Sequence, residues 1–435
     1  MRIRTSKRLV TALAAMALVV TACGGGAEEP AAEDAPAEEA PAEEAPAAST
    51  EVIVAPGESI QIRSLEAISG ETASLGLPNQ RATQLAIEDY GDIQGFSVDL
   101  GTPLDDLCSA DGGQASAQTI VADTSVVGVI GTSCSGAAGA ALPLLSNAGM
   151  VLVSASNTNP RLTQTPFGTA GEAYLPGYYR TAHNDLYQGA AVADYVYNDL
   201  GLTKAGAIHD GDPYTDGLAT AFADAFTALG GEVVVYTSVN KGDTDMVPVL
   251  TEVAAAAPEV VFMPIFPPEV NFIAQQWSQV SGLEDVVRFA ADGASVASFM
   301  EIAESEGFYF SGPSEQFGSN GNEITGVSAT DLLARYNETF GEAPSAGFWG
   351  HAYDATTMLL KAIDTVAVVQ DDGSLLIDRA ALREALSASS FSGIIGAIAC
   401  DEFGDCGAQE IQILLHEDSS ITSTSQITPL KVIKP

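Results

Sequence analysis

From about Ser59 the chain alternates short β-branched runs with longer amphipathic stretches. Ile60 to Leu65 reads as a strand, and Leu77 to Tyr90 as a helix with Ala82, Leu85, Ala86 and Asp89 at helical spacing. Phe96 to Leu100 predicts a strand, Gln114 to Ala122 a helix, and Val126 to Ile130 (VVGVI) a buried strand. A helix over 137–148 and the strand VLV over 151–153 follow. After a linking stretch the alternation restarts, with a helix near 187–200, strand 205–208, helix 216–229, strand 232–236 and helix 246–257. The strand EVVFM over 259–263, helix 269–281 and strand 286–290 complete the second set. Strands alternating with such helices give βαβ units on parallel sheets covered on both faces. Two sets divided near residue 178 imply an α/β protein of two doubly wound, parallel-sheet lobes. The C-terminal third is more helical, over Glu323–Phe340, Ala352–Val368 and Asp378–Ala388, with too few strand-like runs for a third sheet. It is expected to supply helices and crossover segments to the two lobes.

The start of the chain follows a different pattern. Arg2, Arg4, Lys7 and Arg8 precede an apolar run of 14 residues, Leu9 to Ala22. Spanning hydrocarbon takes about 20 residues. A basic start, a short apolar core and small residues before a cut describe a secretory signal over 1–22, a retained anchor being the rival reading. Val20-Thr21-Ala22-Cys23 resembles the bacterial lipobox, with Val20 where Leu is usual, and lipid on Cys23 would tether the protein without a spanning helix. Residues 24–50 hold eight acidic and no basic side chains around a repeated APAEE, with no aromatic or branched aliphatic residue to build a core. They predict an extended, self-repelling tether. The expected organisation is a leader over 1–22, the lipidated cysteine and tether over 23–57, lobe 1 from 58–177 plus about 318–385, and lobe 2 from 178–317 plus about 386–435.

Composition fits this picture. A chain of 435 residues accommodates at least two compact units, and 46 % hydrophobic against 17 % charged residues is a globular balance. Acidic residues outnumber basic ones 57 to 17, a formal net charge of −40, which excludes nucleic acid or an anionic lipid surface as an electrostatic partner. Beyond Cys23 an exported chain has four cysteines, which allow three pairings. The short loop from Cys400 to Cys406 suggests its own clip, which leaves Cys108 with Cys134. Zinc is disfavoured, because no paired CxxC spacing occurs and His183, His209, His351 and His416 are scattered.

In open parallel sheets, ligands bind beyond the carboxyl ends of the strands, near helix N-termini. Five strand ends carry polar or aromatic runs: Gly131-Thr-Ser-Cys-Ser-Gly136, Ser154-Ala-Ser-Asn-Thr-Asn-Pro160, His209-Asp-Gly-Asp-Pro-Tyr-Thr-Asp216, Pro264-Ile-Phe-Pro-Pro268 and Ala291-Asp-Gly-Ala-Ser295. Two belong to the first lobe and three to the second, so they would meet across a cleft. Their chemistry suits a zwitterion. Ser135 and the N–H groups opening the helix at Gly136 fit a carboxylate, since a helix start carries orphan donors and partial positive charge. Ser156 and Thr158 add hydroxyls, and Asp292 in the opposite lobe is the candidate partner of an ammonium group. Tyr214 and Phe266 could wall the site and exclude water, strengthening both polar contacts. Taken singly, Ser135, Thr158 and Asp292 are also ordinary cap or turn residues, and Tyr214 or Phe266 ordinary packing. Their joint placement on strand ends favours a site.

With these residues in view, the chain resembles the branched-chain amino-acid-binding proteins of ABC importers, which have the type I periplasmic-binding fold. The similarity runs from about Ile60 to Asp418 through ISG (68–70), LAIEDYG (85–91), GVIGTSCSG (128–136), LVSASNTNP (152–160), HDGDPYTDG (209–217) and Tyr353-Asp354-Ala355. The resemblance implies a two-lobed clamp with a multi-strand hinge that closes on ligand and presents it to a membrane permease, and a Cys108–Cys134 disulfide. It places the family's carboxylate-binding positions on Ser135, Ser156 and Thr158, and its ammonium-binding acid on Asp292, where Glu is common. The aromatic wall falls on Tyr214 and on Phe266, where Tyr is frequent. A position often aromatic beside the ligand's side chain is Leu75, so branched-chain selectivity does not follow.

The expected activity is capture of an amino acid or similar small zwitterion outside the cytoplasm, without chemistry, cofactor or metal, and delivery to the permease. A short amide, urea or carboxylate held by the same clamp, or a sensory receptor role, are the alternatives. An enzyme using a serine near 133–135 is disfavoured, because G-T-S-C-S-G is not a G-x-S-x-G elbow and only His209 offers a base.

Overall fold

The computed structural model describes residues 51–434. The expected leader, Cys23 and the tether as far as residue 50 lie outside the described residues. The chain opens with β1 (Glu51–Val54), β2 (Ile60–Glu66), α1 (Ala73–Tyr90), β3 (Val98–Asp99), β4 (Leu104–Asp105), α2 (Ala110–Ala122), β5 (Val126–Gly131), α3 (Ser135–Asn147), β6 (Val151–Ser154) and β7 (Tyr178–Arg180). The first sheet has the order β3-β2-β5-β6-β7, parallel throughout, with β4 also pairing β2. The unbroken apolar run of β5 is buried at every position, as a strand covered on both faces requires. Val127 and Val153 pack with Trp349, Tyr353 and Leu359 on one side, whereas Val129 and Leu152 pack with Ile120, Ala138 and Leu142 on the other.

The second lobe contains α4 (Asp185–Asp194), β8 (Lys204–His209), α5 (Pro213–Ala228), β9 (Glu232–Ser238), α6 (Val247–Ala256), β10 (Val260–Met263), α7 (Glu269–Trp277), β11 (Val287–Ala290), α8 (Ala297–Met300) and β12 (Phe308–Pro313). The C-terminal third adds α9 (Ala329–Phe340), α10 (Trp349–Val366), β13 (Val368–Val369), β14 (Leu375–Asp378), α11 (Arg379–Ser387), β15 (Ser390–Gly393), β16 (Gly396–Ala399), β17 (Ile411–His416) and β18 (Lys431–Ile433). The second sheet runs β18-β17-β12-β11-β10-β8-β9. Its β9, β8, β10, β11 and β12 are parallel, while β17 and β18 join antiparallel.

Several expectations need correction. Residues 51–57 are not all tether: β1 pairs antiparallel with β14, burying Val52 and Val54 beside Leu375 and Ile377. With β13 these strands form a third, three-stranded sheet, so the C-terminal third does carry strand capacity. The strand read over Phe96–Leu100 shrinks to Val98–Asp99, because Phe96 turns back to pair with Ile93. The helix expected from Glu323 starts at Ala329, where the Ser328 hydroxyl accepts the Asp331 N–H at 3.1 Å. Tyr178–Arg180, assigned to lobe 2, is the edge strand of the first sheet. Ile394, Ile395 and Ile398, also assigned to lobe 2, pack in the first lobe's core.

Three segments cross between the lobes side by side, following β7, following β12 and preceding β17. The Arg180 N–H donates to Gly404 O and the Cys406 N–H to Arg180 O, both at 2.9 Å, and the Ser314 N–H donates to Glu410 O at 3.0 Å. Cys400 and Cys406 form a disulfide beside this junction, as Cys108 and Cys134 do between the starts of α2 and α3. Arg180 is fully buried. Its Nε meets Asp405 Oδ1 at 2.5 Å, and its Nη1 donates to Asn157 O at 3.1 Å and Asn159 O at 2.9 Å. One guanidinium thereby ties the hinge to the loop after β6. Burial opposes the ionised form of Asp405, but Arg180 outweighs it and holds the carboxyl below its usual range. Removing one partner of such a pair strands the other as a bare charge. Asp405→Ala is expected to cost about 3–5 kcal/mol in denaturant unfolding, against about 1 kcal/mol or less for loss of an exposed ion pair. A cost below 1 kcal/mol would show that Arg180 reaches water.

Candidate functional site

Strand order explains where the polar segments gather. In the first sheet β3 and β5 flank β2, and in the second β9 and β10 flank β8, so each sheet reverses direction there. Connections leaving the carboxyl ends at such a reversal diverge and open a crevice. The loops after β2, β5 and β6 line it from the first lobe, and those after β8, β10 and β11 from the second.

The first lobe contributes donors and hydroxyls. Ser135 opens α3, and its Oγ accepts the Asn159 N–H at 3.4 Å. The Asp106 carboxylate takes the Ser133 N–H at 2.7 Å and the Cys134 N–H at 3.4 Å, so the helix tip beyond them retains its unpaired first-turn donors. Ser133 donates to Glu66 Oε2 at 2.5 Å, and Asn79 bridges toward Ser156 at 3.1 Å. Both acids are buried, which pushes Asp106 up to about 7 and Glu66 well above its usual range. Ser156 is spoken for: its hydroxyl donates to Ser133 O at 3.1 Å and accepts from Asn79. Thr158 is different: its buried Oγ1 makes no hydrogen bond of good geometry and has the Asp185 carboxylate beside it.

The second lobe contributes an anion and an aromatic wall. Asp292 follows β11, and its Oδ1 accepts from Gln188 Nε2 at 2.7 Å. Burial raises its pKa to about 6 against that hydrogen bond. Since the Gln188 amide nitrogen also faces Ser311 Oγ at 3.0 Å, its oxygen must accept from His183 Nε2, 2.6 Å away. Burial lowers His183 to about 4, so the ring is a neutral donor that orients Gln188 toward Asp292. The Tyr214 and Phe266 rings lie 5.0 Å apart at 39°. Tyr214 Oη accepts the Gly293 N–H at 3.1 Å, and a Cβ on Gly293 would press within 2.9 Å of both rings. Only glycine fits there.

The lobes are closed over these groups. None of Leu75, Ser135, Ser156, Thr158, Tyr214, Phe266 and Asp292 is more than 6 % exposed. Leu75, Cys108 and Cys134 share one continuous apolar cluster with Tyr214 and Phe266. Gly136 of the first lobe faces Asp212 and Pro213 of the second so closely that a Cβ would come within 2.8 Å of Asp212 Oδ2. Asn159 Nδ2 donates to Pro213 O. Beside this contact a cleft of about 280 Å³ opens between Ser69, Gly70 and Thr72 of one lobe and Asp210, Lys241 and Phe266 of the other. All seven expected residues are buried; of them Phe266 lines this cleft, while Ser156 points its hydroxyl into its own lobe. His209 accepts the Gly211 N–H at 3.2 Å and lies 3.8 Å from Asp216, so it pairs with neither serine. Among the described residues no group of three or more His, Cys, Asp or Glu could hold a metal ion. Sequence reading missed Asp185, Gln188 and His183, which follow the unrecognised strand β7 and crowd around Asp292.

The Asp292 shift has a sign that can be checked. An acid whose folded pKa is raised favours folding most below its unfolded value, and that advantage is lost as pH rises through the folded value near 6. In the ligand-free protein Asp292→Asn is expected to raise stability by up to about 3 kcal/mol at about pH 8 and to have little effect below about pH 4. Thermal or denaturant unfolding at both pH values measures it, and a pH-independent difference would place Asp292 in water.

Comparison with known proteins bears on the fold and the family. An amino acid binding protein of Pseudomonas aeruginosa is 29 % identical over 58 % of this chain, a match spanning 65 % of that protein's length. A Leu/Ile/Val-binding protein homologue of Brucella melitensis is 26 % identical over 83 % of this chain and 92 % of its own. Among solved structures, a leucine binding protein from Thermotoga maritima superposes with a TM-score of 0.72 at 24 % identity, covering 86 % of this chain and 99 % of that one. An R. palustris solute binding protein in complex with benzoate does so with a TM-score of 0.69 at 18 % identity, covering 87 % and 97 %. With two doubly wound lobes, a three-segment hinge and a match to the family model over residues 59–406, the chain belongs to the periplasmic binding protein family.

Proposed function

We propose that this protein is an exported solute-binding lipoprotein that closes on an α-amino acid and delivers it to an ABC permease, with lipid on Cys23 as its membrane tether. The observation that carries the reading is the polarity of the closed crevice. The α3 tip, Ser135 and the buried Thr158 hydroxyl stand on one side, and Asp292 with its aromatic wall on the other. A carboxylate fits the first side, where orphan N–H groups and a helix dipole are excluded from bulk water. An ammonium group fits beside Asp292, which lies among buried groups and is hydrogen-bonded by Gln188. Ser135, Thr158, Tyr214, Phe266, Asp292 and Leu75 are the proposed contacts, with Ser156 holding the loop that presents Thr158. No bond is made or broken. Ligand favours the closed state because contacts from both lobes exist only there.

A second reading is supported by the carboxylate side being complete without Asp292, and by the benzoate bound to one structural neighbour. A plain carboxylate would then lie against Tyr214 and Phe266. Thermal unfolding with L-leucine, L-isoleucine, L-valine, L-alanine and benzoate separates the two readings. A ligand at about 100 times its Kd adds about 2.7 kcal/mol, which a melting curve resolves. Asp292→Ala is expected to lose amino-acid binding while sparing benzoate if benzoate binds the wild type. Stabilisation by benzoate alone would establish the second reading, and unchanged amino-acid binding by the variant would reduce Asp292 to a turn residue.

A further inference from the structure

At the start of α1 the two lobes meet through three half-buried serines. Ser74 lies in the first turn of α1 in lobe 1, Ser298 in α8 of lobe 2, and Ser345 in the segment between α9 and α10. The Ser298 hydroxyl donates to Glu71 O at 3.0 Å and stands 3.2 Å from the Ser74 hydroxyl. Ser345 joins both lobes at once: its hydroxyl donates to Ser74 O at 2.7 Å, while its carbonyl accepts the Ala297 N–H at 3.2 Å. None of the three is among the proposed ligand contacts.

Both ends of this contact have firm mounts. A Cβ on Gly76 would come within 2.1 Å of Ala67 O, so the first turn of α1 is pressed on its own lobe's backbone with no room to shift. In lobe 2 the residues after Ser298, Phe299 and Met300, are fully buried, and Ser298 O accepts from Asn271 Nδ2 of α7 at 3.0 Å. Pro344 O, beside Ser345, accepts the buried Ser423 hydroxyl at 2.8 Å. Uncharged hydroxyls also suit the seam. With 57 acidic and 17 basic residues the lobes repel one another, and cations for an ion pair across the seam are scarce. A hydroxyl–carbonyl bond needs no counter-charge. It forms over a range of only about 0.5 Å, so it is made in the last step of closure and broken in the first step of opening.

Resting on the capture reading above but on no particular ligand, we propose that Ser298 and Ser345 are positioning residues of an interlobe clasp on Glu71 and Ser74, which holds the clamp closed and sets how fast a captured ligand leaves. Water replaces these bonds when the lobes part, which leaves each worth about 2- to 10-fold in the balance between open and closed clamp. Because the clasp grips backbone and hydroxyl groups of α1 and not the ligand, it acts alike on every ligand over which the lobes close.

The test is stopped-flow binding and release of L-leucine, L-alanine and benzoate by the full chain. Ser298→Ala and Ser345→Ala are each expected to raise the release rate by about 5- to 10-fold and to change the association rate by less than about twofold. The factor should be the same for every one of these ligands that the wild type binds, and the same at about 50 and about 500 mM NaCl, since the bonds join uncharged groups. Ser298→Thr, which keeps the hydroxyl, should restore most of the wild-type rate. Melting temperatures without ligand should not move, which separates a clasp from a serine needed for folding. A second measurement needs no ligand: the Ser74→Cys/Ser298→Cys protein is expected to cross-link these two cysteines under mild oxidation, because the side chains meet when the lobes close. Failure to cross-link, or wild-type release rates in both alanine variants, overturns the clasp. A wild type that binds none of the three ligands overturns the reading of what is captured, and the cross-link then decides the clasp by itself.

Discussion

Burying carboxylates without counter-charge is the constraint around which this molecule is organised. Asp292 and Asp185 sit in one dry crevice, with Glu66 and Asp106 buried behind the α3 tip, and desolvation raises the pKa of all four. Water entering an opened cleft would relieve the first pair, because solvent can hydrate an acid that protein leaves bare. A cationic group entering the closed cleft would relieve it too. On the proposed function, closing over an empty crevice would leave these acids bare, so closure and occupancy would be coupled. A ligand shifts such an equilibrium only by as much as it prefers one state, and contacts drawn from both lobes supply that preference.

That coupling requires parts that do not yield. Arg180 fixes the carbonyls of Asn157 and Asn159 from the hinge, so the loop bearing Thr158 moves with the crossing segments. His183 holds Gln188, and Gln188 holds Asp292. Glu66 holds Ser133 while Asn79 holds Ser156, and the Cys108–Cys134 disulfide fastens the start of α3 to the loop that carries Asp106. Glu66 being pushed well above its usual range fits this role, since a protonated carboxyl sits in a dry network at less cost than an ion. Much of the polar inventory around the crevice positions the groups that face it. Prior positioning lets a small ligand bind without ordering the site itself.

The fold was legible where periodicity was long. VVGVI, VLV and EVVFM are apolar runs that only a doubly covered sheet accommodates, and each is a strand. The strands that escaped notice are short or half exposed. β7 is three residues inside a stretch read as linker, and β13 offers two exposed valines. Missing β7 had a consequence for the site. Polar residues were sought after recognised strands, so Thr181-Ala-His-Asn-Asp185 went unread, and with it Asp185, His183 and Gln188. Ser135, Thr158, Tyr214, Phe266 and Asp292 stand out as candidates because the strands before them are legible. That Ser156 turns its hydroxyl inward was not readable, since it depends on Asn79, 77 residues earlier in the chain.

The same geometry makes selection steep at the polar end of a ligand and shallow at the other. A site built to hydrogen-bond a substrate group rejects an analogue lacking it by about 10⁴–10⁵, whereas one methylene in an apolar pocket changes binding by only about 1–3 kcal/mol. In the proposed site the polar end would meet the α3 tip, the Thr158 hydroxyl and Asp292, all buried. The remainder of a ligand would then meet Leu75, Tyr214 and Phe266, which belong to one apolar cluster. Beyond it the cleft mouth is charged: Lys241 reaches Asp212 at 2.9 Å and lies 6.0 Å from the Phe266 ring centre, with Asp210 beside it. On the proposed function, headgroup chemistry more than branching decides which ligand this crevice holds.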